Sequence, residues 1–129
     1  MGTNFFFITK DKKLKDELFG WNEWELTDEP DWGYLIHLAK TSLGWKPLFQ
    51  GSQSVKSVAD IKHLFDKGAF KIVDEYGEYY DWPAFEKRVI DFNKDNPDAI
   101  SHPKYENGKY WDHYFVDSEG YEFSRRWFR

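Results

Sequence analysis

The sequence predicts an α+β fold: one domain over residues 1–129, a mostly antiparallel sheet of five or six strands with two helices packed on one face. Three observations predict it. Short runs rich in strand formers recur at 4–9, 34–39, 45–50, 69–73 and 110–116. Two stretches with helical spacing each follow a capping residue, Ser57 and Asp81. The tetrads Asp74-Glu75-Tyr76-Gly77 and Asp117-Ser118-Glu119-Gly120 have the grammar of tight hairpin turns, which set neighbouring strands antiparallel. A chain of 129 residues also suits one domain with a sizeable core.

Each element has its own signal. Residues 4–9 are apolar and read as a buried strand. Residues 10–15 form a charged turn, and Leu14, Leu18 and Phe19 show helical spacing that Gly20 stops. Residues 21–32 are acidic, hold three Trp and Pro30, and read as a loop or short strand. In the strand at 34–39, alternation puts Leu35, His37 and Ala39 on one face and Tyr34, Ile36 and Leu38 on the other. Both faces are apolar, so the strand is central. A small polar turn with Lys40, Thr41, Ser42 and Gly44 follows. Pro47 confines the return strand at 45–50 to an edge or breaks it.

After a polar linker, Ser57 and Asp60 imitate a capping box. Val58, Ile61, Leu64 and Phe65 form the helix stripe, His63 falls off it, and Gly68 sits where a helix stops. A strand at 69–73 leads through the first Asp-x-x-Gly turn to Tyr79 and Tyr80. Asp81 then caps a helix with Pro83 in its first turn. Its stripe is Trp82, Phe85, Val89, Ile90 and Phe92, and Asn96-Pro97 ends it. Residues 98–109 are a polar loop, 110–116 a strand, and 121–123 its return across the second turn. Val-Asp-x-x-Gly thus occurs twice, which is hairpin chemistry used twice.

Composition narrows the function classes. Seven Trp, eight Tyr and twelve Phe exceed what a core of this size hides, so some rings should serve recognition at the surface. The net charge is −5, and residues 11–32 hold eight acids against three lysines, an excess equal to the whole. Arg125, Arg126 and Arg129 form a basic tip. General nucleic-acid binding is disfavoured by this balance. There is no cysteine, hence no disulfide and no thiolate metal site, as befits a reducing cytoplasm. No secretory signal, spanning segment or membrane partner is expected. The Met1-Gly2 start fails as a myristoylation signal, because Phe6 stands where Ser or Thr is needed.

Three stretches carry a family likeness: Met1-Gly2-Thr3-Asn4-Phe5-Phe6; His37-Leu38-Ala39-Lys40-Thr41-Ser42-Leu43-Gly44-Trp45; and the two turns, the second continuing as Tyr121-Glu122-Phe123. The chain resembles a family of small, mostly uncharacterised tailed-bacteriophage and prophage proteins. Those begin Met-Gly-Thr-Asn-aromatic-aromatic and share a His-x-x-Lys-x-Ser-x-Gly-Trp core. The resemblance implies a phage-encoded accessory protein in the cytoplasm of the infected bacterial host. Many members carry a Cys-x-x-Cys pair before the histidine stretch, which this chain lacks.

The chemistry concentrates at 33–50. Lys40-Thr41 is not a phosphate loop, because the upstream glycines are missing. Lys40, the Thr41 and Ser42 hydroxyls and free turn N–H groups do suit an anion, with Trp45 stacking a ring and His37 alongside. Arg125 and Arg126 are candidate helpers. No Ser-His-Asp order appears, and Asp112 and His113, as strand neighbours, face apart. Nothing in the spacing of His37, His102 and His113 demands a metal, and the two Asp-x-x-Gly turns fall short of a calcium loop.

The expectation is therefore a binding protein for a small anionic or nucleotide-like ligand, with no cofactor and no metal. The alternative is an inhibitor of a host protein, with Trp21, Glu23, Trp24, Glu25 and Trp32 as its contact surface. A small hydrolase is a distant third, for the paired carboxylates it would need have no specific support.

Overall fold

The computed structural model describes residues 2–9, 13, 25–26, 34–52, 55–68, 70–102, 105–106, 109–110 and 114–125. In chain order these give β1 (Gly2–Thr9), β2 (Glu25–Leu26), β3 (Tyr34–Ser42), β4 (Leu48–Gln50), α1 (Val58–Asp66), β5 (Lys71–Asp74) and β6 (Tyr79–Tyr80). Then come α2 (Trp82–Phe85) with a π-helical extension Glu86–Ile90, β7 (Tyr105–Glu106), β8 (Lys109–Tyr110), β9 (Tyr114–Val116) and β10 (Glu122–Ser124). The fold is α+β.

Among the described residues eight strands form one sheet, in the order β6-β5-β1-β3-β4-β10-β9, with β2 also paired to β3. β4 and β10 run parallel, and the other strand–strand pairings of this sheet are antiparallel. The strand count exceeds five or six because β2 and β6 are two residues long, too short to show a period. Of the two alternatives drawn from Pro47, the structure shows the break and corrects the edge: β4 covers only Leu48–Gln50 of the expected strand at 45–50. It begins just after the proline, so no ladder N–H is lost, and it lies between β3 and β10. The helical spacing at 14–19 lies outside the described residues.

The faces of the sheet are set by one irregularity. Phe5 pairs with Ala39 but Phe6 pairs with His37, so Leu38 is the extra residue of a β-bulge. His37 and Ala39 therefore lie on opposite faces, not on one face as unbroken alternation predicts. Ala39 joins Phe5 and Phe7 in the core, whereas His37 stacks on Phe6 at 5.0 Å on the other side.

On the core face one cross-strand row runs Asp74, Phe5, Ala39, Phe49, Phe123, Phe115. Its rings touch in turn, Phe49 to Phe123 at 5.4 Å and Phe123 to Phe115 at 5.1 Å. That is close to the spacing of adjacent strands, so the ladder places the rings in contact.

Both helices bury their stripes on this face. Val58 and Ile61 of α1, with Trp82, Phe85, Val89 and Ile90, join the same cluster as Phe5, Phe7, Ile36 and Phe49. Ser57 Oγ accepts from Asp60 N at 3.1 Å and Asp81 Oδ1 from Ala84 N at 2.9 Å, as cap residues do. Gly68, at φ 73°, ends α1. The second helix stops at Ile90, short of Asn96-Pro97; Asp91 is its C-cap, and Asn93 beyond it turns to φ 57°.

The two Asp-x-x-Gly turns are built alike. Asp74 Oδ1 accepts from Tyr76 N and Glu78 N, and Asp117 Oδ1 accepts from Glu119 N and Tyr121 N, all between 2.8 and 3.0 Å. Gly77 and Gly120 close the turns at φ 87° and 93°. The remaining oxygens differ. Asp74 Oδ2 takes the Tyr80 hydroxyl at 2.8 Å, and burial together with this bond pushes that phenol up to about 12. Asp117 Oδ2 takes the first helical N–H of α1, from Val58, at 3.0 Å. A carboxylate there satisfies an orphan donor and complements the helix dipole.

Candidate functional site

Strand β3 runs on through Ser42, so Lys40 and Thr41 lie in the ladder and the turn comes later. Trp45 N donates to Ser42 O at 3.0 Å, with Gly44 at φ 83° in the third position, as a type II turn requires. Alternation then separates the residues expected to share an anion site. Thr41 is 2% exposed and lies on the helix side of the sheet. Lys40 lies on the opposite face, and alternation sets Ser42 there too. The bulge at Leu38 adds His37 to that face, which strict alternation from Lys40 would not do. A row Asn4, Lys40, Leu48, Glu122, Val116 crosses the strands there. The neighbouring positions add Gln50 and Ser124, both buried.

The segment after the turn is clamped onto this face. Lys46 N donates to Ile100 O at 3.0 Å and Ile100 N to Gly44 O at 2.8 Å, a parallel bridge that carries residues 99–102 across the start of β4. His102 arrives by this route. Its ring stacks on Trp45 at 4.9 Å and 26°, and lies 6.5 Å from the Tyr114 ring. His102 N donates to Glu122 Oε1 at 2.8 Å, and Nε2 lies 2.8 Å from the Lys46 carbonyl. A carbonyl can only accept, so Nε2 carries the hydrogen and Nδ1 keeps its lone pair in the neutral ring.

Burial lowers the pKa of His102 below its ordinary value. The Lys46 carbonyl and the Glu122 carboxylate pull the other way, and the Lys40 ammonium adds to the depression. Lys40 is thus within electrostatic reach of this imidazole. The site groups a cation, an indole, a neutral imidazole and a buried carboxylate on one face.

Arg125 is not drawn in. Its guanidinium lies over Phe115 at 4.5 Å, and Nη1 donates to Tyr114 O at 3.3 Å. Arg126 lies outside the described residues, as do Trp21, Glu23, Trp24 and Trp32. Glu25 is described only as a β2 backbone position, opposite Leu35 of β3.

Sequence reasoning did not single out His102 or Glu122 for this site. Each is dozens of positions from Trp45, and the Trp45–Ile100 bridge that unites them has no local signal. Among the described residues, no group of three or more His, Cys, Asp or Glu is placed to hold a metal ion. No described helix is long and apolar enough to cross a membrane. Comparisons with protein-family models, curated proteins and solved structures return no match for this chain.

Proposed function

We propose that this protein captures a small anionic, ring-bearing ligand of nucleotide-like chemistry on the sheet face that carries Lys40. Trp45 and His102 are the adjoining rings. The phage setting rests on the family resemblance. In that setting the protein is an accessory factor of the infected bacterial cytoplasm, with counter-defence by sequestering a host signal as its role. One observation carries the reading: the Trp45–His102 stack, with Lys40 in electrostatic reach. An ammonium holds phosphate as a point charge, and ring faces accept a base whatever its identity.

The imidazole makes binding pH-dependent. A bound anion offsets the repulsion from Lys40 and so raises the pKa of His102. The proton enters at Nδ1, and the bond from Nε2 to the Lys46 carbonyl survives. Affinity should therefore rise as pH falls toward the His102 pKa.

The test is calorimetric titration at low salt with AMP, ADP-ribose and a cyclic dinucleotide. Lys40→Ala should weaken binding at least tenfold, about 1.4 kcal/mol, while barely changing Tm. A panel in which nothing binds the parent, or a variant that binds like the parent, contradicts the assignment. The alternative reading, a host-protein inhibitor acting through Trp21, Glu23, Trp24, Glu25 and Trp32, draws on the acidic excess and the three Trp of residues 11–32.

A further inference from the structure

A second site lies across the Trp45–Pro47 segment from the first. A cleft of about 170 Å³ opens between residues 90–94, the Lys46-Pro47 pair that precedes β4, and the β9–β10 turn with Glu122. We propose that it binds a free zwitterion one ring in size, of which the aromatic amino acids are the representatives.

Size is the first constraint. A cavity on the order of 150 Å³ accepts one benzene ring. The cleft is open on one side, so it seats a ring and a short charged stem and does not enclose a whole nucleotide. Its chemistry is the second. Phe92 and Tyr121 supply ring surfaces, and four charged residues line it: Lys46 and Lys94, Glu119 and Glu122. Two cations and two anions favour neither a simple anion nor a simple cation. A molecule with both charges satisfies both kinds of group.

The charges come from different segments of the chain. Lys94 belongs to the wall after α2, and Glu119 to the β9–β10 turn. Both act electrostatically on the Tyr121 hydroxyl, Lys94 to lower its pKa and Glu119 to raise it, while burial dominates and leaves that pKa raised. Glu122 Oε1 is engaged by the His102 N–H. The Lys94 ammonium has a 3.7 Å contact with Asp91, exposed and so readily exchanged for a ligand carboxylate. On this reading the ligand carboxylate goes to Lys94 and its ammonium to Glu119.

The wall itself is built, not merely left over. It follows a π-helical turn closed by Asp91 N donating to Glu86 O at 2.8 Å, a feature often found at functional sites. Asn93 holds φ 57°, the only positive φ outside glycine among the described residues. Its Nδ2 donates to Trp45 O at 2.7 Å, fixing the wall to the segment that separates the two sites.

Binding to the full-length protein would be followed by NMR for phenylalanine, tyrosine, phenylacetate and phenethylamine. Phenylalanine or tyrosine should bind saturably and shift Tyr121 signals, with each single-charge analogue at least tenfold weaker. Lys94→Ala should weaken phenylalanine and phenylacetate but leave phenethylamine unchanged; Glu119→Gln should do the converse. Lys40→Ala, at the other site, should change none of these. Phenylacetate or phenethylamine binding as tightly as phenylalanine would overturn the zwitterion assignment, as would the absence of saturable shifts with any of the four. So would Lys94→Ala and Glu119→Gln variants that keep the parental Tm and bind like the parent.

Discussion

His102 shows how much one residue can depend on its surroundings. In the sequence it is a histidine in a polar loop before Pro103, one of three whose spacing demands no metal, whereas His63 is exposed on α1. In the fold it is partly buried between Trp45 and Tyr114, with its backbone on Glu122 and its ring on Lys46. Because its pKa is lower folded than unfolded, the unfolded chain binds the proton first as pH falls. The stability it confers is full above the unfolded value of 6.5 and is lost as pH drops through the folded pKa. Thermal melts between neutral pH and mild acid should show Tm falling over this window. His102→Gln, which keeps a donor for the Lys46 carbonyl, should flatten the fall. A parent whose Tm holds steady through that window contradicts the placement of His102.

At the scale of elements, local chemistry was legible wherever a single residue dictates a backbone state. Ser57, Asp81, Gly68, Gly77 and Gly120 all do what their residue types require. At Gly77 and Gly120 an added Cβ would meet nothing within 4 Å, so substitution there strains only the backbone. Gly77→Val and Gly120→Val should each cost about 1–2 kcal/mol through the left-handed conformation alone, read from denaturant midpoints. Gly51 is the contrast. Its backbone needs no positive φ, but a Cβ would lie 2.7 Å from the Phe115 ring. What the sequence could not show was non-local. The bulge at Leu38 exists only against the β1 register, and it decides which face His37 takes. Asn93 takes the left-handed conformation in the turns after α2, a state asparagine permits but does not announce.

Across the whole molecule, the sheet separates two tasks. One face is the Phe ladder under both helices, an apolar core that strand and helix periodicity made legible. The other gathers His37, Lys40, Gln50, Glu122 and Ser124, polar side chains that alternation hid among apolar neighbours. Thr41 shows the limit of reading a site from a run of adjacent residues, because strand geometry sends it to the opposite face from Lys40. Parallel pairing of β4 with β10, and the bridge from Trp45 to Ile100, bring residues from three distant stretches to one place.

The most direct measurement of this arrangement is the His102 titration by NMR, assigned with His102→Gln, in the free protein and with a nucleotide that binds. Free His102 should titrate below 6.5, and Lys40→Ala should raise that value by removing the nearby ammonium. Bound nucleotide should raise it in the parent, with one proton taken up at Nδ1. A His102 pKa that ignores both the lysine and the nucleotide would contradict a ligand site at Lys40, Trp45 and His102.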